Sequence, residues 1–85
     1  MNDTIQIQKK IRQFIIKTSY ISDDQINNNS MIFTQGIMDS MGFISLINFI
    51  EETFSIKASD NELLDTNFES IDAITDFIIR KLNEN

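Results

Sequence analysis

One serine in this chain sits where its hydroxyl could carry chemistry. The segment Phe33-Thr34-Gln35-Gly36-Ile37-Met38-Asp39-Ser40-Met41-Gly42-Phe43 leads from a turn former into a periodic apolar pattern. Gly36 can take a positive φ just ahead of that pattern. Asp39 is a favoured helix N-cap type and complements the positive end of a helix dipole. Ser40 then falls at the helix start, near backbone N–H groups that have no helical partner, a setting that suits an anionic substituent such as a phosphate. The same residues also describe a plain helix cap, with either Asp39 or Ser40 as the capping residue, and spacing alone leaves both readings open. Gly42 in the first turn could allow close backbone approach beside Ser40.

A second feature follows on the same helix. Met41, Ile44 and Asn48 recur at i, i+3 and i+7, so they share a face beside Ser40. Two of the three are apolar. They either stand open as a docking surface or pack beneath the preceding loop. Glu51 and Glu52, one turn further on, would steer a basic partner toward that face.

Composition removes several classes of function. The chain has no Cys and no His. It therefore has no disulfide framework, no thiolate nucleophile, no zinc-thiolate site and no usual general base near neutral pH. A Ser-His-Asp or Cys-His hydrolase is excluded. No paired acid and base can be identified, so the chain is not expected to be an enzyme. No segment matches a calcium-binding loop, and no metal site is expected.

The net charge of −6 argues against sequence-independent nucleic-acid binding. Lys9, Lys10, Arg12 and Lys17 lie near one end, and Arg80 and Lys81 near the other. Between Asp23 and Asp76, eleven acids face the single base Lys57. That stretch carries a negative field that either keeps the domain soluble or steers basic partners. No apolar run approaches the roughly 20 residues of a membrane span, and the N-terminus lacks the apolar region of a signal peptide. The expectation is a soluble, cytoplasmic monomer.

The elements that must position Ser40 follow from apolar spacing. A length of 85 residues implies one domain, over residues 1–85. Ile7, Ile11, Phe14 and Ile15 predict a first helix from about Asp3 to Thr18. Residues 19–39 form a long loop, with Ile26, Met31, Ile32 and Phe33 able to pin it to a core. Phe43, Leu46, Ile47, Ile50 and Phe54 predict a helix from about Ser40 to Phe54, followed by a short loop at Ser55 to Ser59. Asp60 to Asp65 could make one or two turns with Leu63 and Leu64 inward. Ile71, Ile74, Phe77, Ile78 and Leu82 predict a last helix from about Glu69 to Asn83. No segment alternates long enough to build a sheet. The fold class is all-α, a four-helix bundle of three main helices and one short helix, with a long loop between the first two.

These residues together resemble the acyl carrier and peptidyl carrier proteins. The resemblance covers nearly the whole chain and is strongest from Ile32 to Leu82. It rests on the Phe33–Met38 approach, the Asp39-Ser40-Met41 motif, the helix ending Glu51-Glu52-Thr53-Phe54-Ser55-Ile56, and the late Asn67-Phe68-Glu69-Ser70-Ile71 stretch. It implies a four-helix bundle in which Ser40 carries 4′-phosphopantetheine, transferred from coenzyme A by a phosphopantetheinyl transferase. Asp39 would help to position the transferase or the phosphate. The arm's thiol would hold an acyl or aminoacyl group as a thioester, which suits a cysteine-free chain. Partners would be that transferase, an acyl- or aminoacyl-loading enzyme, and a downstream transferase or condensing enzyme. Met41, Ile44, Asn48, Glu51 and Glu52 would dock them.

Some positions depart from the family pattern. Met41 replaces the usual Leu. Gly42 and Phe43 follow where carriers of primary fatty-acid synthesis usually have an acidic and a small polar residue, and Ser45 and Asn48 leave the helix less acidic. The resemblance therefore points to a stand-alone carrier of a specialised pathway of nonribosomal peptide, polyketide or aminoacyl transfer, including D-alanyl transfer. A fatty-acid carrier and a helical adaptor without a prosthetic group are the alternatives. The usual Pro after the second helix is absent, with Ala58-Ser59 in its place, which predicts a looser loop.

Overall fold

Apolar residues one helical turn apart close this chain around a single cluster of buried side chains. The computed structural model describes residues 3–84, and among them there are helices and turns but no strand. Helix α1 is Asp3–Ser19, α2 is Ser40–Phe54, α3 is the short Asp65–Phe68 and α4 is Ile71–Leu82. Two single 3₁₀ turns, Asp23–Gln25 and Asp60–Glu62, lie in the connections. α1 buries Ile7, Ile11 and Ile15, α2 buries Leu46 and Ile50, and α4 buries Ile71, Ile74, Phe77 and Ile78. Each such side chain contributes about 1.5–3 kcal/mol through removal from water. The result is the expected all-helical bundle.

The long connection between α1 and α2 is held at defined points. Ile26 and Ile32 are buried in the cluster, as their apolar side chains suggested, whereas Met31 is exposed. Arg12 of α1 fastens the start of this loop. Its guanidinium donates to the Ile26 carbonyl at 2.9 Å, to Asn28 Oδ1 at 3.0 Å and to Asp23 Oδ1 at 3.0 Å. The Asn28 carbonyl accepts from the Asp72 N–H at 2.9 Å, which ties the loop to the first turn of α4. The Ile32 N–H donates to the Glu69 carbonyl at 2.9 Å, and the Ile32 carbonyl accepts from the N–H groups of Ile37 (2.9 Å) and Met38 (3.0 Å). A chain that would otherwise leave its backbone polar groups unpaired is thereby fixed just before α2.

The short helix is not where the apolar spacing placed it. Asp60–Glu62 forms only a 3₁₀ turn, Leu63 and Leu64 are exposed, and the helical turn comes later, at Asp65–Phe68. The cause is Glu62. Its Oε1 accepts from the Ser59 N–H at 2.9 Å and from Lys81 Nζ at 2.9 Å, closing the chain into a tight turn. The leucines are thrown outward, and Phe68 takes the interior. The last helix also starts later than Glu69, because Ser70 Oγ accepts from the Ala73 N–H at 3.1 Å and makes Ser70 the N-cap. Glu69 is left in the connection, with its carbonyl free for Ile32.

The loop after α2 departs from expectation as well. α2 ends at Ser55 in the left-handed region (φ 55°), and the Ala58 N–H donates to Glu51 Oε2 at 2.9 Å. This bond pins the loop that the absence of Pro had suggested would be loose. A Pro at Ala58 would have had no N–H to give.

The Glu62 turn predicts an acid sensitivity. Hydrogen bonds from the Ser59 backbone and from Lys81 lower the Glu62 carboxyl from its ordinary 4.5 to about 2. The folded state thus binds this proton less readily than the unfolded chain. The stabilisation is fully present above pH 4.5 and is lost as the pH falls toward about 2. Thermal melts of Glu62→Gln across that range should show a shallower acid decline than the parent. Parallel declines would remove Glu62 from the explanation.

Candidate functional site

The start of α2 is built so that one residue caps and its neighbour stays open. Asp39 has extended backbone (φ −107°, ψ −170°), and its Oδ1 accepts from the Gly42 N–H at 2.9 Å. A cap of this kind contributes about 1 kcal/mol. Ser40, the first helical residue, is exposed. Of the two capping candidates in the sequence, the structure gives the cap to Asp39. The Ser40 hydroxyl is left at the amide end of the helix, beside backbone N–H groups that the helix does not satisfy. The first turn itself carries no acidic side chain, and the adjacent Asp39 carboxylate is engaged by the Gly42 N–H.

The approach to Ser40 is shaped by two glycines with different tasks. Gly36 has φ +75°, the left-handed geometry that favours glycine, and its N–H donates to the Phe33 carbonyl at 3.1 Å to close the turn. Gly42 is buried, and a Cβ there would overlap Cγ of Met38. The close approach that Gly42 permits is therefore that of Met38, a core residue, packed under the first turn. Together, the Ile32 bonds, the Gly36 turn and the Met38 packing fix where α2 begins.

Met41 (73% exposed) and Ile44 (55% exposed) stand open beside Ser40, so neither packs beneath the loop. Asn48 and Glu52 are also exposed along this helix. Glu51 does not join them. It is half-buried, with its carboxylate turned back to the Ala58 N–H. Asp39, Ser40, Met41, Ile44, Asn48 and Glu52 thus form a continuous surface, and Glu51 supports it from behind.

Next to Ser40 lies a groove of about 690 Å³ with Phe33, Phe43 and Ile44 along it and Thr34 and Glu69 as polar positions. The rings of Phe33 and Phe43 meet edge to face at 5.5 Å, Phe43 meets Phe68 at 5.5 Å, and Phe68 meets Phe77 at 5.0 Å. This aromatic series connects the groove wall to the core. Its edge-to-face contacts favour one arrangement of the rings. Apolar spacing had marked Phe43 and Phe77, Phe33 was marked as an anchor of the loop, and Glu69 had no role at the site, because residues in irregular chain carry no period. A phosphodiester on Ser40 would stand at the amide end of α2, and an arm of mixed aliphatic and amide character would find an apolar wall with polar positions beside it. The residues present fit such a group.

Known proteins resemble this chain over most of its length. The family model described as a phosphopantetheine attachment site matches residues 9–78. The chain is 39% identical over 70 residues to an acyl carrier protein of Buchnera aphidicola subsp. Schizaphis graminum, covering 80% of this chain and 89% of that relative. It is 32% identical over 72 residues to an acyl carrier protein of Buchnera aphidicola subsp. Baizongia pistaciae, covering 85% of this chain and 90% of that relative.

Proposed function

The chain belongs to the acyl carrier protein family, whose members bear covalent 4′-phosphopantetheine and are carriers rather than enzymes, and from that premise we propose that Ser40 is the residue to which the arm is attached. The observation that carries this is the division of labour at α2: Asp39 makes the cap, and the adjacent Ser40 hydroxyl is exposed and uncommitted. When bound, the group supplies a terminal thiol that holds an acyl or aminoacyl cargo as a thioester. Ser40 anchors it by its oxygen. The free amides at the start of α2 favour the phosphate charge. Phe33 and Phe43 offer the arm an apolar wall.

Members of this family are handled by a phosphopantetheinyl transferase and by acyl-handling enzymes. We assign their docking to Met41, Ile44, Asn48 and Glu52, which run from Ser40 along the exposed side of α2. Loading draws on coenzyme A, so the proposed site of action is the cytoplasm, where coenzyme A is made.

The cargo reading follows from charge. Residues 40–50 of α2 contain no charged side chain. A partner meeting this surface finds apolar and amide groups before it reaches Glu52, which supports a specialised pathway of peptide, polyketide or aminoacyl transfer. A carrier of fatty-acid synthesis is the second reading, favoured by the identity to the two Buchnera acyl carrier proteins. Two mass measurements test the proposal. Incubation with coenzyme A and a promiscuous transferase should add one phosphopantetheinyl group to the peptide containing Ser40, and addition elsewhere would overturn the assignment. The loaded protein from its native host should then carry an amino acid or a specialised acyl group. A series of stepwise-lengthened saturated acyl groups would decide for the second reading.

A further inference from the structure

A second groove, of about 810 Å³, lies between α1 and α2 and shares no residue with the one at Ser40. Its α2 residues, Phe49 and Thr53, are nine and thirteen positions beyond Ser40, roughly 13–20 Å along the helix axis. Phe14 and Phe49 form its floor, with ring centroids 4.4 Å apart and planes inclined by 17°. Both are only partly buried, so the stacked pair remains open on one side. Lys10 and Lys17, two turns apart on α1, stand exposed along its rim. Among the described residues neither pairs with a carboxylate; Lys10 Nζ instead lies 5.9 Å from the Phe54 ring. No acidic residue lines the groove, although the protein carries a net charge of −6.

Tyr20 extends the groove at the end of α1, where the Ile21 N–H donates to the Ile16 carbonyl at 3.3 Å and closes the helix. It follows α1 with φ 56°, a left-handed position where Gly or Asn is the easier residue. Its side chain is 94% exposed, so its ring gains nothing from the core. The exposed ring thus stands at the edge of the aromatic groove, open to a partner.

We propose that this groove is a second interaction site, which takes an acidic segment of a partner protein carrying an aromatic or branched apolar side chain. The apolar side chain would lie on the Phe14–Phe49 pair beside Tyr20, and its acidic flanks would meet Lys10 and Lys17. Charge complementarity selects this occupant. An anionic bilayer is disfavoured because the site is a concave groove. A partner held here leaves Ser40 and the Met41–Ile44 surface free, which raises the effective concentration of the carrier at the partner's catalytic domain. That consequence rests on the assignment of Ser40, but the binding itself does not.

The probe is a short synthetic peptide in which Glu and Asp flank a Trp-Leu pair, titrated into isotope-labelled protein without the arm and followed by amide chemical shifts. The expected result is saturable change at Lys10, Phe14, Lys17, Tyr20 and Phe49 that weakens as salt is raised. The double substitution Lys10→Glu/Lys17→Glu should weaken binding at least about tenfold. Tyr20→Gly should weaken binding too, while raising the melting temperature by relieving the left-handed residue. Changes centred on Met41 and Ile44 would overturn the proposal, as would equal binding of the peptide with Lys in place of its acids. So would a response to phosphatidylglycerol vesicles in place of the peptide, or shifts that depend on protein concentration alone.

Discussion

Ser40→Ala is expected to accept no phosphopantetheine under conditions that modify the parent completely, and to unfold at nearly the parent temperature. The first half follows from loss of the only oxygen that the proposal makes available for the bond. The second half follows from the structure. Ser40 is exposed in the first turn, the cap bond to the Gly42 N–H comes from Asp39, and Ala is well tolerated in a helix. Exposed substitutions of this kind fall within about 0.5 kcal/mol. If Ser40 were instead a cap, its loss would cost about 1 kcal/mol, which in a domain of this size lowers the melting temperature by roughly 4–8 °C. Intact mass and a thermal melt on the same sample therefore separate the two roles. A persistent mass gain would move the attachment to another residue, and a cap-sized drop in melting temperature would return Ser40 to structural duty.

Much of this was legible because the regular parts of the chain announce themselves. α2 begins and ends where Asp39 and the spacing of Phe43, Leu46, Ile50 and Phe54 placed it. The positive φ at Gly36 was readable because few other residues take that geometry freely. What spacing could not show were contacts between irregular segments. Nothing in Ile32 alone says that its N–H meets the Glu69 carbonyl, 37 positions later. Adjacent leucines at 63 and 64 look like core, yet the Glu62 bonds to Ser59 and Lys81 turn them to solvent. Glu51 has the charge expected of a docking residue, but a loop N–H holds its carboxylate. Gly42 looked like room for a ligand and proved to be room for Met38. In each case a tertiary partner, rather than a local preference, decided the outcome.

The same irregular segments explain how the core reaches the site. The Ile32–Glu69 bond joins the approach to Ser40 with the connection after α3, and Phe68 is the residue immediately before Glu69. Packing of Phe68 thus helps to hold the strip of chain from which Ile37, Met38 and Asp39 lead into α2.

Phe68→Ala is accordingly expected to be the most damaging single substitution in the bundle. Phe68 is fully buried, and its ring lies 5.5 Å from that of Phe43 and 5.0 Å from that of Phe77. Truncation would remove the middle of this series and leave a cavity between α2 and α4, at a cost of about 3–5 kcal/mol. A chain of 85 residues has roughly 4–13 kcal/mol of total stability to lose. The melting temperature should therefore fall by roughly 15–30 °C, as followed by helical circular dichroism. Phe77→Ala belongs to the same core but lies one helix away from the Ile32–Glu69 bond. At a temperature where both variants remain folded, Phe68→Ala should show the larger loss of amide-exchange protection at Ile32, Ile37 and Met38. A fall of only a few degrees would mean that Phe68 does not anchor the core. Equal protection at Ile32 in the two variants would mean that the site is positioned by its own hydrogen bonds, independently of the ring beneath it.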